Sequence, residues 1–155
     1  MALERANLLF PWRSTVRDVP QVPRSLWLSK DAMLWVDPPG KHPESVRQEA
    51  LRYARELLNQ FVLGKELIER HDLKWLDPHD DEVWELRTYL NKPQLRLFGW
   101  FPAPNHFVVI HCKRRDVLKT QAHWDNAIDR VIKKRWELMG DIPLFKGWAY
   151  GDYIN

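Results

Sequence analysis

A chain of 155 residues, 45% hydrophobic and 29% charged, can bury about two thirds of its unfolded surface in one core and is too apolar to stay disordered. Its single cysteine, Cys112, excludes an intramolecular disulfide and a Cys-rich zinc site, and no stretch approaches the ~20 apolar residues of a membrane span. The net charge of +3 is uneven: residues 43 to 94 carry 8 Lys and Arg against 11 Asp and Glu, whereas residues 95 to 155 carry 10 against 6, the asymmetry of a chain with one face turned to a polyanion.

The N-terminus, interrupted by Glu4 and Arg5, has no signal-peptide apolar region, so a cytoplasmic location is expected. Residues 1 to 32 contain Pro11, Pro20 and Pro23 without a sustained period and read as an irregular arm, pinned to the body by Trp12 and Trp27. Ala32 to Val36 is short, apolar and closed by Asp37-Pro38-Pro39-Gly40, which predicts a first strand and a turn. A helix is predicted from Pro43-Glu44, with Val46, Ala50, Tyr53, Ala54, Leu57, Leu58 and Phe61 on its apolar face; Gly64 breaks it, and Lys65 to His71 reads as a short second helix.

After the turn-rich Asp77-Pro78-His79-Asp80-Asp81, the period changes to two. Trp84 and Leu86 then fall on one face of a strand, with Glu85 and Arg87 on the other. Asn91-Lys92-Pro93 turns into a strand over Leu95 to Phe101, and Pro102-Ala103-Pro104-Asn105 turns into another over Phe107 to Cys112, making an antiparallel meander. A last helix spans Ala122 to Met139, its stripe formed by Trp124, Ala127, Ile128, Val131 and Leu138 and its end marked by Gly140 and Pro143, before an aromatic tail from Phe145 to Tyr153. The fold class is therefore α+β.

Three stretches carry a resemblance: Trp84-Glu85-Leu86-Arg87, Leu95-Arg96-Leu97-Phe98, and Val109-Ile110-His111-Cys112-Lys113-Arg114-Arg115, followed by a helix with Ala127 and Arg130. In this order they are similar to the RelE/HigB-type toxins, in particular the phage-related HigB-like branch, over residues 33 to 139. The resemblance implies a RelE-like fold of one strand, two helices, a three-strand meander and a C-terminal helix, with a toxin domain over 33 to 155 behind the arm. It implies a metal-independent messenger-RNA endoribonuclease acting on the ribosome, without a cofactor, and a helix-turn-helix antitoxin as partner. The chain departs from those toxins in its extra arm and in Lys113-Arg114-Arg115, which stands where a Lys pair is usual.

Metal-free cleavage of RNA requires a positioned ribose 2′-OH and stabilisation of charge at phosphorus. Arg96 suits a bidentate hold on phosphate, with a cross-strand pair to Glu85 as its structural alternative. His111 titrates in the range of a general base or acid, and Lys113 and Arg114 are candidates to clamp phosphate or stabilise the leaving 5′-oxygen. Arg87, Arg115, Trp148 and Tyr150 are candidate RNA contacts, Tyr153 could likewise stack on a base, and His106 and His123 are lesser candidates for the acid–base role. Trp148 otherwise reads as core or lid packing, in a segment that Gly147 and Gly151 would make mobile. Two rival functions share these features: a non-catalytic RelE-fold protein that modulates gyrase or another host factor, and a phage assembly protein acting through its arm. No phosphate-binding Gly-rich loop, His-Glu-x-x-His, paired Cys or nucleophile elbow occurs, and Asp77, Asp80, Asp81 and Glu82 lack calcium-loop spacing.

Overall fold

The computed structural model describes residues 8–17, 20, 22–37, 45–89 and 93–155, with the backbone alone at 45–47. The turn expected at Pro38-Pro39-Gly40, the helix start at Pro43-Glu44 and the turn at Asn91-Lys92 lie outside the described residues, as does the Val46 side chain. The architecture is α+β: strands β1 (Leu9–Pro11), β2 (Ser25–Ser29), β3 (Leu73–Trp75), β4 (Trp84–Arg87), β5 (Leu95–Ala103) and β6 (His106–Arg114), and helices α1 (Lys30–Val36), α2 (Ser45–Val62), α3 (Gln121–Met139) and α4 (Tyr150–Tyr153). One mixed sheet holds all six strands in the order β1-β2-β6-β5-β4-β3. Only β2 and β6 run parallel; every other neighbouring pair is antiparallel.

The expected meander is therefore the centre of a wider sheet, and the segment read as an irregular arm supplies two of its strands. Leu26 and Leu28 of β2 are buried in the core, and Trp27 pairs with Val108 in register. The strand expected over Ala32 to Val36 is helix α1 instead. Ser29 explains the change: its Oγ accepts the Ala32 N–H at 3.1 Å and donates to the Ile110 carbonyl, so it caps a helix while fastening that helix to β6. The segment expected as a helix over Lys65 to His71 is irregular to Ile68, with an isolated bridge at Glu69 and a turn from Arg70. Arg70 sits there at φ 64, and the Asp72 carboxylate accepts the Ile68 N–H at 2.8 Å, satisfying locally a group that a helix would have used.

The alternation of β4 to β6 divides the sheet into two faces. On one face Trp84, Leu86, Leu95, Leu97, Phe101, Phe107 and Val109 pack with Ala50, Ala54, Leu57, Leu58 and Phe61 of α2. Full burial contributes about 1.5–3 kcal/mol for each large apolar side chain, so this layer is the main hydrophobic core. On the other face Phe98, Trp100, Val108 and Ile110 pack beneath Ala127, Ile128 and Val131 of α3. Gly99 allows the strands their close approach, because a Cβ there would lie 1.8 Å from the Val108 carbonyl oxygen.

The aromatic tail closes the first core. Tyr153 is fully buried, its ring 4.6 Å from that of Trp84. Its hydroxyl donates to Glu82 at 2.7 Å and accepts the Gly147 N–H at 2.8 Å. Arg135 reaches from α3 to the carbonyls of Asp81 and Glu82 at 2.8 and 3.3 Å. Together these contacts hold Glu82 at φ 54, an uncommon conformation for a residue with a side chain.

Candidate nucleic-acid interface

The end of the α3 side where β5 begins and β6 finishes is cationic, with Arg96 buried, Lys113 half-buried and Arg115 exposed. Register places Arg87, Arg96 and Lys113 in one row across β4, β5 and β6, and alternation puts all three on the α3 side. The next row on that face is Lys74, Glu85, Phe98 and His111. Arg115, just past β6, lies over the Trp124 ring at 5.5 Å.

Glu85 is the centre of this end. It is fully buried, with Arg87 Nε 3.2 Å from one carboxylate oxygen and Arg96 Nε 3.9 Å from the other. None of these four atoms is aligned into a hydrogen bond. Loss of hydration drives the Glu85 carboxyl above the usual carboxylate range, and the attraction of Arg96, Arg87, Lys74 and Arg115 opposes that shift without cancelling it.

Arg96 is consequently not presented to solvent. It is 1% exposed and donates to the carbonyls of Leu95 and Thr88 at 2.9 and 3.2 Å and to Gln94 Oε1 at 3.1 Å. Arg87 donates to the Arg70 carbonyl, and both guanidinium groups approach the Tyr89 ring, at 5.0 and 5.7 Å. The cross-strand pairing with Glu85 describes Arg96 better than a free phosphate fork does. Lys113, half-buried and opposite Arg96, has no ion-pair partner among the described residues.

His111 owes its place to a bulge. Phe98 pairs with His111 but Gly99 pairs with Val109, so Ile110 is an extra residue, and both Ile110 and His111 turn toward α3. The imidazole stacks on Phe98 with ring centres 5.0 Å apart. Its Nε2 lies 2.9 Å from the Ala127 carbonyl, which can only accept, so the proton belongs on Nε2 and Nδ1 keeps its lone pair. Burial pulls the His111 pKa down to about 4 and outweighs the Ala127 hydrogen bond. The ring is therefore neutral near pH 7, and Nδ1 has no partner.

Beside His111 a cavity of about 360 Å³ opens between β6 and α3, with Lys113, His123, Asn126 and Arg130 among its lining residues. His123 was a lesser candidate from sequence, and Arg130 was visible only as part of the resemblance. The remaining candidates separate from this end. Arg114, exposed, pairs with Asp116 at 2.6 Å. His106 lies at the far end of β6, stacked on Trp27.

Trp148 and Tyr150 belong to the tail on the opposite face. Tyr150 sits 6.3 Å from Trp84, ring to ring, and donates to the Leu67 carbonyl at 2.9 Å; burial raises its phenol to about 12. Trp148 is 94% exposed, which corrects its assignment to core or lid packing. Its segment is tied by the Trp148 and Ala149 N–H groups donating to Asp152 at 2.7 and 2.9 Å. Gly147 serves close packing, since a Cβ there would fall 2.7 Å from the Tyr153 ring.

Among the described residues no group of three or more His, Cys, Asp or Glu is placed to hold a metal ion, and no helix is long and apolar enough to cross a membrane. Comparison of the chain with models of known families, with curated proteins and with solved structures returned no match.

Proposed function

We propose that the cationic end of the α3 face binds single-stranded RNA and that the protein is a RelE-like, metal-independent endoribonuclease acting on messenger RNA. One observation carries this reading: Arg96, Arg87, Lys74 and Arg115 all act on a single buried carboxylate, Glu85, and Lys113 stands opposite Arg96 in register. The nearby Asp116 is already engaged by Arg114. Positive charge in excess of the carboxylates at this end favours a polyanion. A strand, two helices, a meander and a helix do follow one another as β2, α1, α2, β4–β6 and α3, but the first strand and one helix come from other segments than those expected, and β1 and β3 widen the sheet to six strands.

In this mechanism Lys113 and Arg115 hold the phosphates flanking the scissile bond. The 2′-OH gives its proton to His111 Nδ1 as its oxygen bonds to phosphorus. The bond from phosphorus to the 5′-oxygen breaks, and the Lys113 ammonium protonates the departing oxygen, leaving a 2′,3′-cyclic phosphate and a 5′-hydroxyl. A buried imidazole with a low pKa is a weak base that is ready at neutral pH. Reaching it requires side chains at the cavity rim to swing aside. Arg96 acts here by fixing Glu85 and Arg87, not by touching phosphate.

The test is inducible expression in a bacterium with mapping of RNA 5′ ends, comparing wild type with Lys113→Ala. New ends in wild type that vanish in the variant are expected. Ends that persist in Lys113→Ala would remove Lys113 from the chemistry, and no new ends from folded wild type would defeat cleavage altogether. That last outcome, with RNA binding retained, would support a second reading that the burial of Arg96 against Glu85 specifically favours: the same surface used for binding without chemistry.

A further inference from the structure

Trp148 stands 94% exposed, and the loop around it is built to keep it there. The Trp148 and Ala149 N–H groups donate to the Asp152 carboxylate at 2.7 and 2.9 Å, and the Gly147 N–H donates to the Tyr153 hydroxyl at 2.8 Å. Phe145 meets the Tyr153 ring edge-on, with ring centres 5.2 Å apart. An indole displayed on backbone that folding has already ordered is a preformed anchor, because contact with a partner has little loop freedom left to remove.

The same loop is fastened to acidic segments. Tyr150 donates to the Leu67 carbonyl at 2.9 Å; besides burial, Arg24, Asp72, Glu69 and Glu66 act on its phenol. Tyr153 donates to Glu82 at 2.7 Å, and Lys146, the one cation of the tail, also acts on Glu82. Residues 65 to 82 carry 7 Asp and Glu against 3 Lys and Arg, so the balance beside the loop is negative. Glu66 and Glu69 are exposed and form no ion pair among the described residues. Ile68, next to the carbonyl that Tyr150 holds, is 58% exposed and supplies a second apolar point.

Charge decides what this face accepts. A base could stack on the indole, but the phosphates of RNA, like those of an anionic lipid surface, would meet charge of their own sign. A cationic partner meets its complement. Exposed apolar side chains beside unpaired carboxylates match an apolar stripe flanked by Lys or Arg, which is the pattern of a basic amphipathic helix. We infer that the tail face docks a basic amphipathic helix of another protein, with Trp148 as the anchor and Glu66 and Glu69 as the charged rim. The cationic end lies on the opposite face and calls for a partner of the opposite sign, and this inference does not rest on the RNA reading.

The experiment is fluorescence anisotropy of labelled probes titrated with the full chain at low salt. The probes are a Leu and Lys peptide of about 18 residues, five helical turns, arranged with an apolar stripe; a peptide of the same composition with the stripe scrambled; and a single-stranded oligoribonucleotide. Sedimentation with phosphatidylglycerol vesicles completes the set. The striped peptide is expected to bind at least about tenfold more tightly than the scrambled one, and Trp148→Ala to weaken it by at least about tenfold. Glu66→Lys/Glu69→Lys should weaken it as well and flatten its salt dependence. Both variants change exposed positions, so their urea midpoints should match wild type, and RNA and vesicle binding should be the same in Trp148→Ala as in wild type.

Equal affinity for the two peptides, or a striped-peptide affinity indifferent to Trp148→Ala, would overturn the inference. Loss of RNA or vesicle binding in Trp148→Ala would overturn it too, returning Trp148 to base stacking in the first case and to a lipid surface in the second.

Discussion

Replacing Arg96 with Met tests whether that side chain is part of the frame or part of the chemistry. Two opposite charges 3.9 Å apart attract by roughly 4 kcal/mol at an effective dielectric constant near 20. The substitution also withdraws donors from Leu95, Thr88 and Gln94. Breaking a buried pair from one side typically costs about 3–5 kcal/mol, because the remaining charge is stranded. Arg87 at 3.2 Å still shields Glu85, so the lower end, about 3 kcal/mol, is expected. Urea unfolding followed by far-ultraviolet circular dichroism would show this as a midpoint lowered by about 1–3 M at ordinary denaturant slopes.

The double variant Glu85→Leu/Arg96→Met removes the stranded charge and should recover at least half of the loss. The pH dependence adds a second check. Folding raises the Glu85 pKa, so the folded state takes up its proton first, and stability from this group is gained as pH falls from the raised value toward the ordinary carboxylate range. Removing Arg96 raises that pKa further, and the cost of Arg96→Met should be smaller at pH 5 than at pH 8. A cost below about 1 kcal/mol, additive with Glu85→Leu and indifferent to pH, would refute the framework role and return Arg96 to the pool of phosphate ligands.

Four further outcomes are expected. His111 has its folded pKa lowered to about 4, so it supports folding above about pH 6.5 and that support is lost as pH falls toward 4; His111→Phe should flatten stability over this interval, measured by unfolding at stepped pH. Lys113→Ala and Arg115→Ala should each weaken binding of a fluorescent single-stranded RNA and reduce the salt slope by about 0.7, whereas Arg114→Ala, already paired with Asp116, should change it less. Tyr153→Phe leaves the buried Glu82 without its donor and should lower stability by about 1–3 kcal/mol in the same urea assay. Gly99→Ala places a methyl against the Val108 carbonyl and should cost at least about 3 kcal/mol or prevent recovery of soluble protein.

The longer elements, α2 and β4 to β6, were legible in the sequence. The α2 stripe reads through Ala50, Ala54, Leu57, Leu58 and Phe61, and β4 to β6 through short apolar runs bounded by turns. The elements that were missed are held by contacts distant in sequence. Strand β2 is only five residues long and follows prolines, and it exists because β6 lies beside it. Strand β3, three residues at the sheet edge, is too short to show a period. Ala32 to Val36 misled because apolar content was weighed above Ser29 and Asp31, a capping residue with an acid in the first turn.

The candidate site was half visible. Alternation alone places Glu85 and Arg87 together, and pairing brings Arg96 and Lys113 into line. What alternation cannot convey is depth: Arg96 is buried and Lys113 only half-buried, a difference set by Gln94, Thr88 and Tyr89 around the former. Ile110 is the other hidden signal, since one extra residue in β6 decides that His111 faces α3.

The parallel pairing of β2 with β6 also governs the order in which the molecule can assemble. Ser29 and the Ile110 carbonyl that its hydroxyl bonds are 81 positions apart, and α1 and α2, the meander's first two strands and their turns all lie between. Loop closure over such a span is slow relative to forming the β5–β6 hairpin. During synthesis the hairpin edge of β6 therefore emerges before β2 can be satisfied, and Leu26 and Leu28 wait exposed until it arrives. That interval, not the finished structure, is where a chaperone or a binding partner finds the chain most open to capture.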